Sequence, residues 1–131
     1  MHIVYVCREY PPTLRGGGIA TYIRLIAQGL VERGNKVTVI CASDDTRISS
    51  DYRDKGVRVI RLSGGDFILP SVESTSLLKK FRFIYRFNSY RKKIREAILE
   101  LHDIDIIEVA DFGAESYFLK GINAPVVVRL H

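Results

Sequence analysis

The feature that most constrains this chain is a rhythm of short apolar runs separated by longer mixed segments. "IVYVC" at 3–7, "KVTVICA" at 36–42, "VRVIRL" at 57–62, "DIDIIEV" at 103–109 and "APVVVRL" at 124–130 each have the length of one strand and favour β-branched residues. The first is apolar without interruption, as a strand buried on both faces is. "VRVIRL" alternates, which places it nearer a sheet edge. Between the first two runs, Ile19, Tyr22, Ile23, Ile26, Ala27 and Leu30 recur at helical spacing, and Gly34 follows as a stop. Residues 76–101 read as one long helix or two shorter ones. "DFGAESYFLKG" reads as a short helix closed by Gly121. Residues 8–18 and 64–75 are loops, and the polar link 43–55 carries only a faint helical pattern.

Strands alternating with helices predict an α/β fold, a Rossmann-like three-layer α/β/α sandwich around a mainly parallel sheet. Right-handed crossovers then give the spatial strand order 3-2-1-4-5. There is no internal repeat, low-complexity tract or linker, so residues 1–131 form a single domain, and 131 residues is near the modal domain size. The sequence stops on His131, directly after a predicted inner strand, and the expectation is a fragment of a longer enzyme. Cys7 and Cys41 lack metal-ligand spacing and lie in strands, so they read as buried free thiols suited to a reducing compartment. "IVYVC" is too short for a signal peptide, and no apolar stretch approaches the ~20 residues a membrane span needs. The expected location is cytoplasmic, with peripheral contact at the inner face of the membrane left open.

In an open parallel sheet, ligands bind beyond the carboxyl ends of the strands where the strand order reverses. Here that crevice lies between the first and fourth predicted strands. Gly16, Gly17 and Gly18 follow the first strand and lead into a helix N-terminus, where unpaired N–H groups and the helix dipole favour an anion. A flexible turn is the plainer reading. The run is not a P-loop, because no Lys-Ser or Lys-Thr follows. It fits a dinucleotide fingerprint poorly: Thr21 stands where the third glycine belongs, and residues 8–15 intervene after the strand. Asp44 or Asp45 could still imitate the acid that binds a ribose, so a nicotinamide-dependent oxidoreductase stays as an alternative. After the fourth strand come Glu108 and Asp111, and after the fifth comes His131. Asp111 is also where an Asp would simply cap the short helix. Neutral imidazole at His131 could hydrogen-bond a sugar hydroxyl or a phosphate.

The net charge of +5 and pI near 9.4 admit anionic partners. Much of that charge lies in "LLKKFRFIYRFNSYRKKIRE", where no acid occurs before Glu96 and aromatic residues interleave with lysines and arginines. Two readings stand. One is a solvated face around a core-facing aromatic stripe. The other is a docking element for an anionic membrane surface through residues 79–95, which would also suit a non-catalytic binding module. Without a known nucleic-acid module, this segment is not read as a nucleic-acid platform.

Three features in combination resemble the family 4 retaining glycosyltransferases of GT-B architecture. They are the first strand with "YPP" behind it, the glycine loop running into "IATYIRLIAQGLVERG", and "KVTVI" as the second strand. "IEVADFGAES" and "PVVVRLH" are also similar to that family's N-terminal half. The resemblance implies a nucleotide-sugar donor, a sugar, lipid or small-molecule acceptor, hexosyl transfer with retention, and no required metal or cofactor. It implies that Gly16, Gly17 and Gly18 approach the donor, and that His131 contacts the donor sugar at the reacting carbon. It further implies that Glu108 and Asp111 lie on the acceptor side; Tyr10, in the loop behind the first strand, is an acceptor-side candidate by position. A C-terminal domain holding most of the donor would be missing, so the fragment alone is expected to be inactive.

Overall fold

The computed structural model describes residues 1–14, 16–45, 47–65 and 76–130, and of residues 112–115 the backbone alone. The elements are β1 (His2–Val6), α1 (Gly18–Glu32), β2 (Lys36–Ala42), β3 (Ser50–Asp54), β4 (Val57–Leu62), α2 (Leu77–Leu99), β5 (Ile106–Ala110), a 3-10 helix at Phe112–Leu119, and β6 (Val126–Arg129). They build one six-stranded sheet in the order β3-β4-β2-β1-β5-β6. All pairings are parallel except β3 with β4. The five expected strands hold their expected order, and β3 is added outside them. Most of the predicted loop 64–75, residues 66–75, lies outside the described residues.

The extra strand corrects the reading of 43–55 as a bare link and of "VRVIRL" as an edge. Asp54 pairs with Val57, and between them Lys55 and Gly56 both have positive φ, 48° and 87°. That two-residue turn matches the twist of an antiparallel hairpin. Gly56 is also needed for room, since a Cβ there would stand 2.6 Å from Cγ1 of Val31 at the end of α1.

Period-two alternation divides the core between the two faces of the sheet. Tyr5, Cys7, Val37, Val39, Val57 and Val59 point to the α1 side and pack with Ile23 and Ala27. Val4, Val6, Ile40, Ile107 and Val109 point the other way and pack with Tyr90, Ile94 and Ile98 of α2. Helix α1 ends as its sequence predicts. The N–H of Gly34 (φ 82°) bonds Val31 and that of Asn35 bonds Leu30, at 2.9 and 3.1 Å, which is the paired closure of a Schellman motif. Strand β1 sits between β2 and β5, so the chain reverses its direction of winding there, and the crevice opens above β1 and β5.

Candidate functional site

A cleft of about 210 Å³ occupies this switch point, lined by Arg8, Glu9, Ile19, Ala20 and Ala110. Ile19 directly follows the glycine run and Ala110 directly precedes Asp111, so the two sequence clusters meet on one rim. Arg8 and Glu9 are lining residues that the sequence reading passed over. Their signal was position alone: they immediately follow the strand-1 run "IVYVC".

The glycines directly precede the cleft-lining residues Ile19 and Ala20. Gly17 is the N-cap of α1, with φ −115° and no side-chain cap, and the first turn holds no acid. Among the described residues, the first N–H groups of this 15-residue helix have neither a capping side chain nor an acid within their own turn. A Cβ built on Gly17 or Gly18 would meet no atom within 4 Å, and one on Gly16 would make ordinary contact with Thr13 at 3.4 Å. None of the three has a positive φ. Neither backbone conformation nor crowding among the described residues requires glycine here.

The loop that carries the glycines is fastened from beneath. Arg61 of β4 donates from Nη2 to the carbonyls of Tyr10, at 2.9 Å, and Pro12. Its Nη1 lies 3.7 Å from the Asp44 carboxylate, which also accepts from Thr13 Oγ1 at 2.8 Å. Asp45 accepts the backbone N–H of Arg47 at 2.8 Å. The two acids that could have imitated a ribose-binding residue therefore both serve the protein's own loops.

The structure separates the remaining candidates. Asp111 is exposed at the N-cap of the 3-10 helix but makes no side-chain cap bond, so capping does not account for it. Glu108 lies one step down the α1 face of β5, between Tyr5 and Val127 in register. Arg129 of β6 grips it, with Nε 2.6 Å from Oε1 and Nη2 donating to Oε2 at 3.0 Å, while the guanidinium sits 5.1 Å from the Tyr22 ring centre. Burial pushes the Tyr5 hydroxyl up, the Glu108 charge pushes it further, and the Arg129 charge opposes them.

Tyr10 does not join the rim. It is 1% exposed within the α1-side core, and its hydroxyl donates to Asp54 at 3.0 Å. The loop folds back over the sheet and takes the ring inward, where its apolar body is buried and its hydroxyl finds a carboxylate. His131 lies outside the described residues.

An open, mainly parallel sheet with a helix N-terminus and carboxylates at its switch point defines a class: the Rossmann-like α/β domains. The sequence narrows the class, for residues 17–131 match the glycosyl transferase 4-like domain family, and the chain belongs to that family. No curated protein sequence matches it. Among solved structures it is similar to sucrose-phosphate synthase from Thermosynechococcus elongatus, at 15% identity and a TM-score of 0.62, over 99% of this chain and 33% of that one. It is equally similar, at 18% identity and 0.62, to the catalytic domain of starch synthase IV from Arabidopsis thaliana bound to ADP and acarbose, over 99% of this chain and 34% of that one. The C-terminal domain of a hydrogenase from Pyrococcus furiosus shares the fold at 21% identity and 0.57, over 98% of this chain and 90% of that one. The chain thus spans about a third of the two synthases, and the hydrogenase domain illustrates that the fold alone does not choose the chemistry.

Proposed function

We propose that this domain is the acceptor-side half of an enzyme that transfers a hexosyl group from a nucleotide-sugar with retention of configuration. The observation that carries the reading is the glycine run at the uncapped N-terminus of α1, directly before the residues Ile19 and Ala20 that line the cleft at the β1/β5 switch point. Backbone N–H groups there suit a diphosphate or a sugar, and the positive helix end favours negative charge developing on the leaving group. In this reading Gly16, Gly17 and Gly18 bind the donor, His131 orients its sugar, and Glu108 and Asp111 face the acceptor. The starch synthase catalytic domain bound to ADP and acarbose supports a nucleotide and a sugar as ligands. Tyr10 supports the loop from the core.

The reading takes residues 1–131 as part of a longer protein whose second domain faces this cleft and holds most of the donor, so the isolated chain transfers little or no sugar. The exposure of Val126, Val127 and Val128 in β6, 36–45% for residues that pack well, supports further structure against that strand. We also propose a cytoplasmic location, a reducing compartment suited to the buried thiols Cys7 and Cys41.

The test is acceptor-dependent release of nucleoside diphosphate from UDP-, GDP- and ADP-hexoses by the full-length protein. Gly17→Val should lower turnover on the order of a hundredfold. It should leave the circular dichroism spectrum unchanged, because no atom of the described residues lies within 4 Å of a Cβ there. His131→Ala should also lower turnover strongly. Normal transfer by Gly17→Val makes the loop merely structural, and no release from any of the three donors overturns the reading.

A further inference from the structure

Helix α2 has two apolar faces, and the fold uses one. Tyr90, Ile94, Ala97 and Ile98 are buried against the sheet, and Phe83 and Phe87, stacked at 5.6 Å, continue that face toward the N-terminus. At 3.6 residues per turn, Leu77, Leu78, Phe81, Ile84 and Tyr85 fall within roughly 120° of arc on the opposite side. They are 69, 82, 70, 53 and 76% exposed. A solvated face around a core-facing stripe accounts for Phe83, Phe87 and Tyr90; it does not account for five large apolar side chains turned to water on three consecutive turns. Lys80 flanks this second face on one side, Arg82 and Arg86 on the other, and no acid occurs from Ser76 to Arg95.

We infer that residues 77–86 dock the domain on an anionic lipid surface, with the second face of α2 lying in the interfacial plane. The chemistry selects this occupant. A polyanion such as a nucleic acid would pair the cations and leave Leu77, Leu78 and Ile84 in water. A protein groove would cover the apolar arc and have to supply acids along both of its edges. A bilayer of anionic lipids offers acyl chains under the arc and phosphates at its flanks, and helices that lie on membranes have this composition. Among the described residues no helix is long and apolar enough to cross a membrane, so the contact is peripheral. The sequence pattern suggested a membrane contact over residues 79–95; the structure moves it N-terminally, because the later turns are consumed by the core.

The inference stands apart from the sugar-transfer reading, and its test has no activity readout. The full-length protein is sedimented with vesicles of phosphatidylcholine alone or with about 30% phosphatidylglycerol, across a salt series. Binding is expected to the anionic vesicles only, and to weaken steeply as salt screens the charges. Phe81→Ser/Tyr85→Ser should weaken it roughly tenfold with all cations intact, and Lys80→Gln/Arg82→Gln roughly tenfold with the apolar arc intact. All four side chains are exposed, so both variants should fold. No binding at low salt overturns the inference, as does binding that the serine variant leaves unchanged. If the serine variant instead abolishes self-association or oligonucleotide binding in a protein that ignores vesicles, the face belongs to a second copy or to a nucleic acid, and the inference fails. If residues 1–131 bind vesicles and the full-length protein does not, the rest of the chain covers the face, and the inference fails likewise.

Discussion

Helices α1 and α2 cover opposite faces of one sheet and spend their residues differently. α1 is used along its whole length. Its first turn opens on the cleft, its middle buries Ala20, Ile23 and Ala27, and its polar flank ties to the β3–β4 hairpin, where Asp54 accepts from Arg24, Gln28 and Tyr10. α2 is buried through its later turns, from Tyr90 to Ile98, whereas in its first three turns Phe83 and Phe87 are half-buried and the other side chains are exposed. A helix that serves the fold at one end and exposes large apolar groups at the other has a second demand on its sequence. The difference between the helices can therefore be measured as a difference between stability and binding.

The largest effects should come where each helix meets the sheet. Ile94 is 0% exposed and Ile23 is 3% exposed. Ile94→Ala and Ile23→Ala should each cost about 2–5 kcal/mol in urea unfolding, through lost burial and the cavity left behind. Comparable losses on the two faces would show both helices to be equal structural partners of the sheet. A small loss at Ile94 would mean that α2 is loosely docked throughout, and would dissolve the contrast between its two ends.

Next is the contact between α1 and the hairpin. Gly56→Ala places a Cβ 2.6 Å from Val31, a stiff β-branched residue, at a φ of 87° that disfavours any side chain. A loss of about 2 kcal/mol is expected on thermal unfolding. An unchanged melting temperature would show that the hairpin can swing free of α1.

How much of this was legible is best seen at the same places. The five parallel strands could be read because each is an apolar run, and their order follows from the handedness of crossovers. β3 could not be read that way, because "SDYRD" is polar and largely exposed; its signal was the turn at Lys55 and Gly56, not the strand. The rim was visible because the glycines lie in the loop between the first strand and its helix, and Asp111 stands directly after a strand. The grip of Arg129 on Glu108 was not, since it depends on the register that sets Glu108 opposite Val127 and Ala110 opposite Arg129. Tyr10 looked like a rim residue by position, and only the return of its loop over the sheet decides that it is core. Both faces of α2 are present in its periodicity, but which one the sheet covers is a tertiary fact.

A smaller effect, with a pH signature, comes from the latch on α1. Burial pushes the Asp54 carboxyl up, yet the hydrogen bonds from Arg24, Tyr10 and Gln28 and the Arg24 charge outweigh it and hold it below the usual carboxylate range. A carboxyl that titrates lower in the folded chain than in the unfolded one stabilises the protein above its unfolded value, about 3.9. That contribution is lost as the pH falls through the depressed folded value. Asp54→Asn should cost about 1 kcal/mol near neutrality, and the stabilities of variant and wild type should converge in acid. A gap that stays constant with pH would assign the loss to packing and not to the charge.

The smallest effect is the one the contrast most depends on. Phe81 and Tyr85 are 70 and 76% exposed on the face of α2 turned from the sheet, so shortening them removes little that folding buries. Phe81→Ala and Tyr85→Ala should each change the unfolding free energy by less than about 0.5 kcal/mol, and alanine's helix propensity offsets part of even that. The same size of truncation on the buried face should cost several times more, so the ratio of the two, and not either value alone, measures how completely the first turns of α2 are excused from the core. A loss of about 2 kcal/mol at Phe81 would mean that this face is already covered when the protein folds. It would then be a structural contact like that of Ile94, and the asymmetry between the two ends of α2 would disappear.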